Sequence, residues 1–510
     1  MELAKAVRDL TLVAGTLIVL ALTVPVNAQV AQNARVLAKF ETDIETGRLA
    51  ESEKEVSNYA FAHPTDAKAL ELFARLRLKQ GRIDEAIALY KKVLALDPQF
   101  TSAKVNYITA LLLAGRSDAA SEILNGIDPA RIKDLITRLN LAQARVLAGN
   151  CDQALTVVAS LPAKVLNTDA LAIRATCYVQ LGRTNDLDAL VPLAEKAVTL
   201  SPSAVMRFAG VMIDAGRSKT AIDILQLILR SRPNDAKTLT MLGKAELMEK
   251  NFASARRHLI SAAGLDLLSP EVAYLQAELE FEQGNAIAAL PFLKKALQLA
   301  PNSPDILAQM ALTSIKAGQP QDGVEAAEKL LALKPNDPDG VYLLGAAALQ
   351  SGDVQKARSN LERYAILRPK DTRGCVALGL AIAAQKDQIE PARQQLLHCL
   401  EIDPTNVEAK YQIGLSYKAQ GDTAQAIHFL EQTVIDAPKY ALALRDLGTV
   451  YLQAGNELKA REMLERSVAI DPNDAETHFQ LSRLYNLIGE ADLAKQHLAT
   501  FQKIKNKKGQ

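Results

Sequence analysis

Apolar residues follow a clear periodic pattern between Ala441 and Pro472. In the first half of this stretch they recur every three to four residues, which places them on one face of a helix: Leu444, Leu447, Val450, Tyr451 and Ala454. Gly455 then interrupts the pattern, because glycine adopts the left-handed conformation that ends a helix. A second apolar run follows, and Pro472 stops it. The stretch predicts a helical hairpin that needs a neighbour to bury its apolar faces.

The turn glycine of this hairpin recurs along the chain at steps of about 34 residues. It is present at Gly47, Gly81, Gly115, Gly149, Gly182, Gly216, Gly284, Gly318, Gly352, Gly421, Gly455 and Gly489. Lys250 and Lys386 occupy the two gaps in the series, each inside an otherwise matching stretch. This regularity predicts many copies of one hairpin instead of several separate globular domains.

Two further positions of the repeat carry small residues. The first lies seven residues before the turn, as at Gly448, and the second lies five residues after it, as at Ala460. Small side chains at these positions allow the two helices of a hairpin to approach each other closely. Many of the repeats also end in proline, as at Pro472.

These features together resemble the tetratricopeptide repeat (TPR) family. The resemblance rests on L-x-x-L-G-x-x-Y at residues 444–451, followed by Ala460 and Pro472. It implies an all-α fold, an α-solenoid that forms a right-handed superhelix of about 14 helical hairpins. The array is expected over residues 33–508, with its clearest repeats at 203–502 and irregular repeats at 101–202. A basic tail is expected at residues 503–510.

Composition and motifs argue against several functional classes. Lysine plus arginine (59) nearly balances aspartate plus glutamate (58), so nucleic-acid binding by bulk electrostatics is not expected. The six histidines are scattered and no cysteine pair has C-x-x-C spacing, so we expect no metal site. Nucleotide-binding and hydrolase motifs are also missing from the sequence. Because repeats account for almost every residue after the first 28, we expect no enzyme and no cofactor.

The first 28 residues differ from the rest of the chain. Two basic residues precede an uncharged apolar run at 10–24, which is shorter than the ~20 residues that a membrane-spanning helix needs. Ala28 fits the small-residue pattern of signal peptidase, with cleavage between Ala28 and Gln29. Residues 1–28 are therefore predicted to be a signal peptide, and the protein to be exported to the periplasm. The alternative is an uncleaved anchor in the inner membrane, which alone would make the membrane a partner.

The four cysteines form two candidate disulfide pairs. Cys151 begins the second helix of one hairpin, and Cys177 lies late in the first helix of the next. Cys375 opens a first helix, and Cys399 lies late in the second helix of the same hairpin. Since antiparallel helices bring opposite ends together, both pairs are candidates for bridges in an oxidising compartment. The alternative is that these cysteines are free, small, buried apolar residues.

Aromatic residues recur ten positions before the turn in every second repeat of the C-terminal part: Tyr274, Tyr342, Tyr411 and Phe479. The first helices of such an array line its concave face. Aromatic side chains in that groove would be good anchors for a peptide or protein segment. The alternative is that the four rings pack between neighbouring repeats.

The resemblance implies a non-catalytic protein–protein interaction scaffold that binds an unidentified peptide or protein in its concave groove. With an export signal, the nearest analogy is to bacterial periplasmic TPR proteins that assist envelope assembly or polysaccharide export. Two alternatives stay open. One is a membrane-anchored assembly factor, and the other is a periplasmic scaffold that binds polysaccharide through the same aromatic residues.

The leader generates the first prediction. If signal peptidase cleaves the chain between Ala28 and Gln29, sequencing of the mature protein should begin at Gln29. A product that keeps residues 1–24 and fractionates with membranes would contradict this prediction and support the anchor.

Overall fold

Helices form nearly all regular structure in residues 26–508, the part of the chain that this computed structural model describes. These residues contain thirty α-helices and a 3₁₀ helix at Pro129–Arg131, and no β-strand is present among them. The chain divides into two units, residues 1–258 and 259–510. Within each unit, consecutive helices pack as antiparallel hairpins. The predicted all-α fold of stacked helical hairpins is confirmed.

The helices of the first unit are α1 Val26–Glu45, α2 Leu49–Ala62, α3 Ala67–Lys79, α4 Ile83–Leu96, α5 Thr101–Leu113, α6 Ser117–Asn125, α7 Leu135–Leu147, α8 Cys151–Ala159, α9 Ala163–Leu166, α10 Leu171–Gln180, α11 Thr184–Asp188, α12 Val191–Ala197, α13 Pro202–Asp214, α14 Ser218–Ser231 and α15 Ala236–Met248. Helix α16, Phe252–Leu265, lies across the boundary between the units.

The helices of the second unit are α17 Pro270–Glu282, α18 Ala286–Leu299, α19 Pro304–Lys316, α20 Pro320–Leu333, α21 Pro338–Ser351, α22 Val354–Leu367, α23 Thr372–Ala383, α24 Ile389–Ile402, α25 Val407–Gln420, α26 Thr423–Asp436, α27 Ala441–Gln453, α28 Glu457–Ile470, α29 Ala475–Leu487 and α30 Ala491–Lys508.

Each hairpin turns at a residue with left-handed backbone conformation. All twelve turn glycines have positive φ angles, between 67° and 85°. Lys250 adopts the same conformation at 58°, as the repeat predicts. The prediction for Lys386 is wrong, because Asp387 has the positive φ of 58° there. Asp387 lies 35 residues after Gly352, so this repeat has one residue more than the usual 34. Helix α23 ends at Ala383, which places the extra residue before the left-handed position, where a short aspartate side chain is tolerated.

Close helix contact explains the small residue seven positions before the turn. A Cβ atom added to Gly448 would lie 2.7 Å from Cγ of Leu464, and one added to Gly414 would lie 2.8 Å from Cγ of Leu430. These distances are shorter than normal van der Waals contact. Ala460, the second small position, is fully buried. The leucine nine residues after the turn therefore packs against the backbone of the first helix.

Helices are shorter in residues 101–202 than in the C-terminal repeats. Helices α6 and α8 have nine residues each, α11 has five and α12 has seven, whereas α27 and α28 have 13 and 14. Prolines contribute to these breaks: Pro129 begins the 3₁₀ helix and Pro162 precedes α9. The segment of residues 126–134 therefore departs from the regular hairpin path.

The two ends of the described chain are helical. Helix α1 begins at Val26 and includes Ala28 and Gln29, while the rest of the proposed leader lies outside the described residues. Helix α30 continues to Lys508 and so includes most of the basic tail. Within residues 26–508, the helices are too short or too polar to cross a bilayer.

One of the two candidate cysteine pairs is bridged in the structure and the other is not. A disulfide joins Cys375 to Cys399, whose Cα atoms lie 5.8 Å apart. Cys151 and Cys177 are both buried and free, so the candidate bridge between them is absent from the structure. The Cys177 thiol donates to the carbonyl oxygen of Cys151 at 3.6 Å, and the Cys151 thiol donates to Gln180 at 3.0 Å. Burial, followed by the neighbouring Cys151, raises the pKa of the Cys177 thiol.

The glycine contact generates a prediction about stability. Gly448→Leu should separate α27 from α28, because overpacking a close contact typically costs about 1–3 kcal/mol. The matched control is Gln453→Leu, which introduces the same side chain at an exposed position of the same helix. Thermal melting and hydrogen exchange across the hairpin measure the difference. Equal effects of the two substitutions would show that the Gly448–Leu464 contact does not limit the hairpin.

Candidate functional site

Tyr411 is a packing residue and not an open anchor. Only 5% of the residue is exposed, and its ring lies 5.0 Å from the ring of Tyr440. Its hydroxyl donates to Asp446 at 2.8 Å, and Lys418 and Arg445 donate to the same carboxylate at 2.6 and 3.0 Å. Burial, followed by the charge of Asp446, raises the pKa of the Tyr411 hydroxyl. Tyr411 therefore makes the contacts of the packing alternative, because its side chain fills the space between α25 and α27.

Tyr342 is half-buried in a small aromatic and charged cluster. Its ring lies 5.3 Å from Tyr364, and the guanidinium of Arg373 lies 5.5 Å from its centre. Tyr364 donates to Asp371 at 2.7 Å, and burial together with this bond raises the pKa of Tyr364 to about 12. The exposed part of Tyr342 is therefore bordered by groups that already pair with one another.

Tyr274 and Phe479 are also only half-buried. Tyr274 packs against the apolar interior of the second unit, and burial raises the pKa of its hydroxyl. The ring of Phe479 lies 5.3 Å from Phe501 on the final helix. The four aromatic residues of the sequence pattern therefore make different local contacts, and the structure does not bring them together in one binding pocket.

A larger concave site lies in the first unit. It is a groove of about 1010 Å³, here called the N-terminal groove. The first helices of successive hairpins line it, namely α3, α5, α7, α10 and α13, and each of these helices contacts the next. Its lining includes polar and charged side chains, among them Arg75, Asn106, Asn140, Gln143, Thr176, Arg207 and Asp214. Apolar lining residues include Leu78, Ile136, Leu139, Ile173 and Val211.

A second cavity adjoins this groove and shares Arg75, Asn106 and Asn140 with it. Its volume is about 520 Å³. Residues 131–134, which follow the shortened helix α6, form part of its wall. The irregular repeat that the sequence marks as a departure from the pattern therefore shapes a concave surface.

Two asparagines connect the floor of the groove to a buried carboxylate. Asn140 Nδ2 donates to Asn106 Oδ1 at 3.4 Å, and Asn106 Nδ2 donates to Glu71 Oε1 at 3.2 Å. Glu71 is 1% exposed and lies beside Lys68 and Arg75, at 3.4 and 3.8 Å. Because the Glu71 carboxylate accepts, the Asn106 amide directs its NH₂ group toward Glu71 and its oxygen toward Asn140. The chain of bonds thus leaves Asn140 Oδ1 as an acceptor at the groove surface.

Charges along the groove are paired locally. Arg75 contacts Glu41 at 3.0 Å and Glu45 at 3.5 Å, and Arg207 lies 3.9 Å from Asp169. Burial raises the pKa of Glu71, although the neighbouring Arg75 and Lys68 oppose that shift. The groove is therefore polar but has balanced charge, which is unlike the one-sided field expected for a polyanion site.

The two asparagines were missed as candidates, yet the sequence contains a signal for them. They are 34 residues apart and occupy the same position, nine residues before the turns at Gly115 and Gly149. The periodic aromatic residues indicated the neighbouring position instead, ten residues before the turn. In the part of the chain that the structure describes, no group of three or more His, Cys, Asp or Glu side chains could hold a metal ion.

The placement of Tyr411 generates a prediction. Tyr411→Ala should destabilise the stack of α25 and α27 by about 3 kcal/mol or more, as for other buried aromatic rings. Tyr411→Phe keeps the ring and should cost only about 1 kcal/mol, from the lost hydrogen bond to Asp446. The half-buried Tyr274→Ala is the control, with a smaller expected effect. Melting curves measure all three, and a Tyr411→Ala variant as stable as wild type would contradict the packing role.

Comparison with known proteins gives several matches. Two family models, both described as tetratricopeptide repeat, match residues 77–135, 280–346, 314–374 and 417–478 for one and residues 240–304 for the other. Together these ranges cover half of the chain.

Two curated relatives match over short stretches. The antiviral innate immune response effector IFIT1 of Homo sapiens is 28% identical over 134 residues, which cover 21% of this chain and 28% of that protein. Peroxisome biogenesis protein 5 of Arabidopsis thaliana is 30% identical over 112 residues, which cover 22% of this chain and 15% of that protein. The chain therefore spans less than a third of the length of either relative.

Among solved structures, the APC/C hetero-tetramer Cut9-Hcn1 matches with 16% identity and a TM-score of 0.43, over 88% of this chain and 96% of that chain. A tetratricopeptide repeat protein from Parabacteroides merdae matches with 13% identity and a TM-score of 0.41, over 50% of this chain and 98% of that chain. The family models agree in position with the hairpins and left-handed turns described above. The chain belongs to the tetratricopeptide repeat family, whose arrays of helical hairpins serve as protein–protein interaction scaffolds.

Proposed function

We propose that this protein is a non-catalytic scaffold that binds an extended peptide segment of a partner protein in the N-terminal groove. The observation that carries the proposal is the line of polar side chains on successive first helices, from Glu71 through Asn106 to Asn140. Asn106 and Asn140 lie on the floor of a groove of about 1010 Å³, and Asn106 donates to the buried Glu71.

The chemistry of the groove matches a peptide backbone. Each asparagine side chain has one acceptor oxygen and two N–H donors, as a backbone presents both donors and acceptors. An extended chain exposes its N–H and C=O groups, so it can exchange bonds with water for bonds with Asn106 and Asn140. Ile136, Leu139 and Ile173 provide apolar contact between the polar positions. A helical partner would satisfy its own backbone and would gain less from the amide groups.

Export to the periplasm is part of the same proposal. It rests on the apolar leader at residues 10–24 and on the small residue Ala28 before Gln29. The Cys375–Cys399 disulfide is consistent with it, since such bonds persist mainly in oxidising compartments. Envelope assembly and polysaccharide export are processes in which an exported peptide-binding scaffold would have partners.

Peptide binding tests the groove. A peptide array first selects ligands for the full-length protein, and fluorescence anisotropy then measures their Kd. The variant Asn106→Ala/Asn140→Ala should weaken binding about tenfold or more, because two hydrogen-bonding side chains are lost at about 1 kcal/mol each. Its melting temperature should fall only slightly, because Lys68 and Arg75 still contact Glu71 when the bond from Asn106 is lost.

The matched control is Gln309→Ala, at the same repeat position of α19 in the second unit, nine residues before Gly318. It should leave the Kd unchanged. An array that selects no peptide, or selected peptides that bind the double variant as tightly as wild type, would overturn the proposal.

A further inference from the structure

Two histidines face each other in the last hairpin of the described chain. His478 lies on α29 and His497 lies on α30. Their Nδ1 atoms are 2.8 Å apart, and the ring centres are 5.0 Å apart. His478 is 7% exposed and His497 is half-buried. This contact joins the final helix to its hairpin partner through two imidazole rings.

The hydrogen bonds around the pair determine how many protons it can hold. The Nε2 atom of His478 lies 3.1 Å from the carbonyl oxygen of Pro472, and a carbonyl can only accept, so this nitrogen carries hydrogen. One further hydrogen must lie between the two Nδ1 atoms. A neutral pair satisfies this arrangement when His497 donates to His478. A pair with one positive charge also satisfies it. In that case His478 is the imidazolium and donates from Nδ1 to a neutral His497, whose own hydrogen is on Nε2.

A second added proton removes the bond. Both Nδ1 atoms would then carry hydrogen, and two positive imidazolium rings would face each other at a distance at which neither can accept. We propose that the His478–His497 contact is a pH-sensitive latch, which holds α30 against α29 at neutral pH and opens when both imidazoles are protonated.

Other charged groups around the latch modify this response without removing it. Glu465 of α28 favours the protonated form of His497, but it accepts hydrogen bonds from Tyr485 at 2.7 Å and Arg461 at 2.8 Å. The ring of Tyr485 stacks on His497, with centres 5.5 Å apart. Lys495 on α30 is exposed.

The acidic groups nearest to His478 in sequence are Glu476, which is exposed and accepts from Gln480 at 2.6 Å, and Asp474, at the start of α29. Asp474 is the more enclosed of the two. It accepts from Thr477 and lies 3.4 Å from Arg445 on α27. Its charge is therefore already shared with other partners. The surroundings thus stabilise one positive charge on the pair, through Glu465, and do not supply a second free carboxylate.

The direction of the pH effect follows from the folded state. Burial, followed by the charge of His478, lowers the pKa of His497. The closed hairpin thus binds protons less readily than an open one. The stability that the histidine contact contributes is fully present above the ordinary imidazole pKa of about 6.5 and is lost as the pH falls below that value. Opening α30 would expose Leu481 and Leu484, which are fully buried in the closed hairpin.

Hydrogen exchange of the full-length protein at pH 7.5, 6.5 and 5.5, corrected for the intrinsic rate, tests the latch. Exchange in α30 should accelerate by up to about tenfold for each pH unit below about 6.5, the limit for one proton bound only in the open state. His497→Gln keeps a group that can donate to His478 but cannot titrate, so its exchange in α30 should be independent of pH. His398→Gln, at an exposed position on α24, should behave as wild type.

A second measurement does not depend on the fold of the His497 variant. NMR titration of wild type should give a His497 pKa below the ordinary value, and His478→Gln should shift it upward. Unchanged protection of α30 down to pH 5.5 in wild type would overturn the latch. So would a His497→Gln variant that opens with acid as wild type does, or a His497 that titrates normally beside an intact His478.

Discussion

The close contact between a leucine and the backbone of the preceding helix is the constraint on which four hairpins of the second unit depend. At Gly345, Gly379, Gly414 and Gly448, the space that a Cβ atom would occupy is already filled by a leucine of the partner helix. The left-handed turn brings the second helix back along the first, and the missing side chain permits the short separation. A hairpin built in this way leaves one face of each helix for the next repeat, so stability is shared between neighbours.

This construction also determines where binding surfaces can form. Tyr411, ten residues before its turn, reaches Asp446 of α27 in the next repeat and becomes buried. Side chains one residue further along remain accessible at Asn106 and Asn140 and line the N-terminal groove. For Tyr411 and these asparagines, a difference of one repeat position separates a packing residue from a candidate binding residue, since one residue along a helix rotates the side chain by about 100°.

Irregular repeats have a different role from regular ones. Residues 101–202 contain short helices and a 3₁₀ helix, and the segment after α6 contributes Ile132 and Asp134 to the wall of a cavity. Departures from local sequence rules are commonly found at functional sites. Here the departure adds a wall to the concave surface. The final hairpin departs in another way, because a histidine pair supplements the apolar contact between α29 and α30.

The sequence was sufficient for the repeat, its turns and its fold class, because these depend on local conformation and on periodic small residues. Twelve glycines and Lys250 were correctly placed, and only the turn at Asp387 was displaced by one residue, since the helix end and not the spacing decides which residue turns. Contacts between repeats required the tertiary structure. Side-chain direction decided that Cys375 pairs with Cys399 while Cys151 and Cys177 bond to oxygen acceptors. It also decided that Tyr411 is buried and that Asn106, Asn140 and Glu71 meet, because these residues are separated by about 34 positions and come together only when successive helices stack.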